Sequence, residues 1–415
     1  MMKISWLVLI FAAVLAAQQP PYDVLLKGGH VVDAKQNIND IRDVAIAQGK
    51  IAAVARDIPA TQARRVVDVR SLYVTPGLVD MHVHLFNAVN RETTPEHGIR
   101  PDVFSFRTGV TTVVEAGTSG WRNFEQFKKQ IIDHVETRVF AMLNIVGNGM
   151  GGRNDVEQVL TDMEPEKTAA MAKKYKDLIV GIKIAHYKGP EWIPVERAVE
   201  AGKLANIPVM VDFADFRPER PFQDLVLKKL RPGDIYTHTY LNAVPMLDAN
   251  GKLLPYLFEA KKRGVIFDLG HGAGSFSFTQ AIPAIRQGFY PDSVSTDYHA
   301  ESMNAGMKDI LNVMSKLINM GMSVEDVIGR TTRAPAKEIG HEELGTLAVG
   351  SVADVAVLRV VTGDFGFIDS GRRRMAGTQK LICELTLKDG RTMYDLNGLM
   401  SDDWTKAPVR RQNQK

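Results

Sequence analysis

Between residues 77 and 299, short apolar runs alternate with helix-length amphipathic segments, and this rhythm narrows what the chain can fold into more than any other feature. The strand-like runs are Gly77 to Phe86, Thr111 to Gly117, Val139 to Val146, Ile179 to Ala185, Pro208 to Phe213, Asp234 to Tyr240, Val265 to His271 and Ser293 to His299. Helical spacing marks Phe124 to Glu136, Pro165 to Lys176, Pro194 to Leu204, Pro255 to Arg263 and Asn304 to Met320. Eight such alternations predict an α/β chain built on a TIM-type (β/α)8 barrel, with bounds at residues 76 and 344. Chemistry in that architecture sits at the C-terminal ends of the strands.

The flanks read differently. From Tyr22 to Thr75, turn residues recur roughly every eight to twelve positions, as in a small β unit. Its partner strands lie at the far end, in Gly345 to Leu358, Leu381 to Leu387 and a hairpin around Gly390. Segments 22–75 and 345–400 are therefore expected to build one small domain together. Lys3 followed by an apolar run to Ala17 has the form of a secretory signal peptide, since it is shorter than the roughly 18 to 20 residues that span a bilayer. It predicts a mature chain starting near Gln18, periplasmic and without stable membrane insertion once the leader is removed. Residues 401–415 read as a polar tail.

Composition excludes several classes. A net charge of +3 is too small to imply nucleic acid. Cys383 is the single cysteine, so neither an internal disulfide nor a cysteine metal site can form. Histidine, aspartate, glutamate and lysine remain as ligands.

Such residues stand at the predicted strand ends. His82 and His84 end the first strand one residue apart, and alternation points both imidazoles the same way, which makes half a metal site. Lys183 ends the fourth in an apolar setting; burial favours the neutral amine of a lysine, the form that captures carbon dioxide. Asp212 ends the fifth strand, His238 the sixth and Asp297 the eighth.

The run Pro76-Gly77-Leu78-Val79-Asp80-Met81-His82-Val83-His84 resembles the first-strand signature of the amidohydrolase superfamily. Gly109 to Gly117, Leu230 to His238, the glycine-rich Phe267 to Phe278 and Ser295 to His299 are similar to its deacetylase branch, often called dihydroorotase-like. Gly350-Ser351-Val352-Ala353-Asp354 resembles the return strand of that superfamily's β-sandwiches, so the small domain is expected to be a sandwich. The resemblance implies one or two divalent ions, zinc foremost with manganese or iron as alternatives, held by His82, His84, Lys183, Asp212, His238 and Asp297. It implies that Lys183 is carboxylated by carbon dioxide and bridges the ions. The implied reaction is cleavage of an amide or ester in a small-molecule substrate by metal-activated hydroxide, with Asp297 as general base. His271 and Gly272 of the glycine loop, and Arg217 or Arg220 of the loop after the fifth strand, would contact substrate. Cyclic-amide hydrolysis of the dihydroorotase or hydantoinase kind is the alternative, and a non-catalytic binding protein on the same scaffold a further one. Oligomeric state stays open, a homo-oligomer included.

One departure stands out. The family carries a histidine after the fifth strand, where this chain has Asp212. Either Asp212 serves as the ligand, or His186 supplies the imidazole, or one ion is absent. On a continuing strand His186 would face the other way from Lys183.

Overall fold

The computed structural model describes residues 20–86, 98–150, 156–214 and 216–406. The expected leader at residues 1–17 and the end of the expected tail lie outside them.

Seven parallel strands run side by side in chain order: Leu78–Val83, Val110–Gly120, Arg138–Asn144, Ile179–Ala185, Val209–Asp212, Ile235–Tyr236 and Ile266–Phe267. The eighth segment forms no continuous strand, yet it closes the ring. Ser293 bridges Asp268 and Tyr298 bridges Val83, both in parallel sense, and the His84 N–H donates to the Tyr298 carbonyl at 2.9 Å. Side chains replace the regular ladder here. Ser293 and Ser295 hydroxyls donate to Asp268 at 3.0 and 2.6 Å, and the Thr296 N–H donates to Asp80 at 3.0 Å. The result is the barrel expected from the alternation, with sixth and seventh strands shorter than their apolar runs.

The helix Ile193–Ala205 shows how sequence sets the outer layer. Pro194 sits in its first turn, where no amide partner is lost, and Asn206 ends it in the left-handed conformation at φ 56°. Between them Val195, Ala198, Val199 and Ala201 are buried. Full burial of one such aliphatic side chain stabilises by about 1.5–3 kcal/mol. The single helix expected from Asn304 to Met320 is instead two, Ala300–Asn304 and Ile310–Asn319. At the break, a Cβ on Gly306 would stand 2.6 Å from the Ile368 carbonyl, so the backbone is pressed against the strand Val355–Ile368. Asp309 then caps the second helix by accepting from the Asn312 N–H at 2.8 Å.

Both flanks join in one eight-stranded sheet, ordered Arg391–Asp395, Arg374–Lys388, Val355–Ile368, Tyr73–Pro76, Tyr22–Asp33, Ile38–Ala47 and Lys50–Ala55, with Ala63–Asp68 beside Tyr22–Asp33. Tyr73–Pro76 is the seam between the two ends, and it leads straight into the first barrel strand. Asp33, fully buried, ties the ends further: its Oδ2 accepts from the Leu347 N–H and the Thr346 hydroxyl, both at 2.7 Å. Among the described residues no helix is long and apolar enough to cross a membrane.

Candidate active site

The side chains at the strand ends converge on the barrel mouth. His82 and His84 are buried, and each imidazole is held from behind through Nδ1. That of His82 lies 3.0 Å from Thr237 Oγ1, which itself donates to Asp268 Oδ2 at 2.7 Å. That of His84 lies 3.1 Å from Thr118 Oγ1. His238 is held in the same manner, with Nδ1 2.6 Å from the Gly270 carbonyl. Each Nε2 is thereby turned toward a carboxylate: His84 Nε2 is 2.9 Å from Asp297 Oδ1, His82 Nε2 is 3.6 Å from the same oxygen, and His238 Nε2 is 3.2 Å from Asp212 Oδ1. Lys183, fully buried, stands between the two carboxylates' neighbourhoods, 3.1 Å from His82 Nε2 and 3.3 Å from Asp212 Oδ2.

Two overlapping triads result, His82 with His84 and Asp297, and His82 with Asp212 and His238, each with its ligand atoms within 4.8 Å of one another. Electrostatics favours metal-ready protonation. Burial, and then the Lys183 charge, push the His82 imidazole down to about 4, leaving its lone pair free at neutral pH. Burial opposes ionisation of Asp297 and Asp212, but the imidazoles beside them, with Lys183 next to Asp212, hold both carboxyls well below the usual range. Imidazoles oriented from behind, converging with two ionised carboxylates, fit a divalent cation.

Glycines make room for this set. Gly117 has φ 90°, and a Cβ there would meet Lys183 Cγ at 2.5 Å. At Gly272, φ is 55° and a Cβ would meet Asp297 Oδ2 at 2.4 Å. Gly272, expected to contact substrate, is bare backbone beside Asp297 and stands outside the cavity lining.

A cavity of about 390 Å³ opens over the cluster, bordered by His84, Asp212, His238 and Asp297, the turn 273–275, and His186 and His299. Two expected substrate contacts lie elsewhere. His271 is fully buried, stacked on Phe276 and bonded through Nε2 to Lys316 Nζ at 2.7 Å, because the glycine turns on either side end the strand alternation. Its side chain is engaged away from the cavity, which residues 273–275 border instead. Arg217 is exposed on its loop and outside the cavity lining, while Arg220 is buried, donating to the Tyr187 carbonyl at 2.8 Å and lying over the Phe213 ring. His186 departs from expectation in the other direction. The fourth strand ends at Ala185, and a backbone φ of 53° turns His186 into the cavity. A larger cavity of about 820 Å³ lies among the strand starts near Pro208, Asp234 and Ile266 and carries none of the ligand residues.

Residues that back the histidines were not singled out from the sequence: Thr237 and Asp268 behind His82, Thr118 behind His84, and Glu115, whose Oε1 accepts from the Thr118 N–H at 2.9 Å. Asp268 left a signal, an acid inside the apolar run Val265 to Leu269, where a buried carboxylate needs partners. Glu115 left the same signal, an acid inside the run Val113 to Ala116, while Thr118 left none, since threonine is common in strands.

A parallel barrel with this donor set at its strand ends defines a metal-dependent hydrolase. Over 353 residues the chain is 32% identical to a deacetylase of Agrobacterium fabrum, covering 81% of this chain and 82% of that protein. A solved structure of an adenine deaminase matches with TM-score 0.80 at 28% identity, over 90% of this chain and all of that one. A dihydroorotase structure matches with TM-score 0.77 at 29% identity, over 90% and 99%. No family model matches the sequence. The chain belongs to the amidohydrolase family, and it is a hydrolase acting on carbon–nitrogen bonds.

Proposed function

We propose that the chain is a deacylase, removing an acetyl or similar acyl group from the nitrogen or oxygen of a small molecule, and that it works in the periplasm. The carrying observation is the position of Asp297, whose Oδ1 meets His84 Nε2 at 2.9 Å while the carboxylate borders the cavity beside Gly272. A bound divalent ion supplies Lewis acidity, polarising the substrate carbonyl and making water a competent nucleophile at neutral pH. His82, His84, Asp212, His238 and Asp297 would hold it. With Oδ1 engaged by histidine, Asp297 keeps Oδ2 to take the proton from the attacking water and return it to the leaving nitrogen or oxygen. Lys183, carboxylated on Nζ, would add a carbamate between His82 and Asp212. An aspartate at position 212 adds negative charge and tilts the preference from zinc toward manganese or iron. The apolar cluster of Val31, Val44, Val74, Val355 and Leu385 supports reading the end sheet as folded over itself into a sandwich.

Cyclic-amide hydrolysis stays the second reading, supported by the likeness to the dihydroorotase structure. One experiment separates the two. Protein produced with bicarbonate, stripped by chelator and reloaded with zinc or manganese, is offered N-acetyl amino acids, acetylated hydroxy acids, dihydroorotate and hydantoins. Release of acetate that requires the metal is expected. Ring opening without acetate release would replace the deacylase reading, and activity unchanged by chelation would overturn the metal-dependent mechanism.

A further inference from the structure

We infer that Ser370 is a positioning residue of the active site: from the tip of the hairpin Val355–Ile368 and Arg374–Lys388 it holds Phe276, and through Phe276 the turn 272–275 that walls the cavity. The end sheet thereby sets the shape of the substrate space. This rests on the deacylase reading above and adds to it a control from outside the barrel.

The wall is held by its ends. Residues 273–275 border the cavity, and a Cβ on Gly274 would meet nothing within 4 Å among the described residues, so no packing fixes the middle of the turn. Its ends are fixed to each other. His271 before the turn and Phe276 after it are stacked, with ring centroids 4.4 Å apart and planes at 17°. Each end also has a support of its own. Lys316 Nζ lies 2.7 Å from His271 Nε2. Ser370 takes both backbone groups of Phe276: the Phe276 N–H donates to Ser370 Oγ at 3.1 Å, and the Phe276 carbonyl accepts from the Ser370 N–H at 2.9 Å. Beside this pair the Phe278 N–H donates to Asp369 Oδ2 at 3.1 Å, and Arg373 Nη1 donates to Thr279 Oγ1 at 3.1 Å.

The hairpin is built to reach this place. Its strand Val355–Ile368 is buried as far as Leu358 and mostly exposed from there to Gly366, yet Phe367 and Asp369 at the tip are buried again. An exposed arm with a buried tip gains its contacts at the far end. The tip is also stiff, since Asp369 Oδ1 accepts from the Arg373 N–H at 2.8 Å and the Asp369 N–H donates to the Arg373 carbonyl at 3.0 Å. The two supports meet at Gly306. Its carbonyl accepts from Lys316 Nζ at 2.6 Å, and a Cβ on it would stand 2.6 and 2.8 Å from the Ile368 and Asp369 carbonyls. One frame of hairpin tip, Gly306 and Lys316 therefore grips both ends of the turn, and loosening one grip moves the wall without touching the strand-end donors.

The test separates wall from metal. Full-length wild type, Ser370→Ala and Ser370→Thr, each reloaded with zinc or manganese, are compared for kcat and KM on an N-acetyl substrate, metal per chain, melting temperature and hydrogen exchange of residues 270–279. In Ser370→Ala, KM is expected to rise about 10-fold with kcat, metal content and melting temperature little changed, because substrate loses its fit while the donors stay in place. Exchange in 270–279 should quicken by about 5- to 10-fold, the Phe276 amide having lost its acceptor. Ser370→Thr keeps the hydroxyl and should behave as wild type. Unchanged KM or unchanged exchange in Ser370→Ala would overturn the inference. So would a joint loss of activity, metal and melting temperature, which is what a merely structural role predicts. If wild type releases no acetate, the deacylase reading fails, and exchange alone decides whether Ser370 holds the turn.

Discussion

Asp297 shows how much one side chain is asked to do: it faces two histidines with one oxygen and borders the substrate cavity beside Gly272. Asp297→Asn keeps the shape and removes the proposed base. Turnover of an N-acetyl substrate is expected to fall by about 10²- to 10⁴-fold, with the melting temperature little changed, as read by steady-state kinetics and a thermal melt. That His82, His84, Lys183, Asp212, His238 and Asp297 gather at one end of the barrel could be expected from the sequence, because strand alternation and the strand-end rule need only the order of residues. The places of His186 and His271 could not. At both, a left-handed turn in or beside the residue breaks the alternation, and no pattern of apolar residues encodes a φ angle.

At the level of elements, the helix Ile310–Asn319 backs the seventh-strand loop through Lys316, whose ammonium reaches His271 Nε2 at 2.7 Å and the Gly306 carbonyl at 2.6 Å. Burial pushes this lysine from 10.5 down to about 7, against the opposing pull of Asp369 and Asp309. Between those values the unfolded chain binds a proton that the folded chain lacks, so this group makes stability rise with pH from about 7 upward. Lys316→Met removes the dependence. Melting temperatures recorded from about pH 6 to 9 should therefore move in favour of wild type as pH rises; parallel curves would contradict the assignment. The barrel's element order was legible, whereas the break between Asn304 and Ile310 was not, because its cause is the distant strand Val355–Ile368 pressing on Gly306.

Across the whole molecule, Asp33 is the joint between the chain's two ends. Its carboxylate accepts from the amides of Lys35, Gln36 and Leu347 and from the Thr346 hydroxyl and the Gln36 side chain. Asp33→Ala leaves buried donors unmatched and is expected to cost about 2–4 kcal/mol in denaturant unfolding. That strands from both ends join could be expected from the sequence, since each end alone was an incomplete set, and they do meet in one sheet. The seam at Tyr73–Pro76 could not, because strand pairing across most of the chain leaves no local mark.

This seam also imposes a timetable on synthesis. Asp33 and its partner Leu347 are 314 residues apart, so at ribosomal rates of roughly 5–20 residues per second the earlier residue waits on the order of tens of seconds for the later one. Throughout that interval the edge of Tyr73–Pro76 that will receive Val355–Ile368 is unpaired, a surface open to strand addition by other chains. A chain ending before residue 355 keeps that edge open for good and is expected to aggregate more readily than the full-length chain, as read by light scattering.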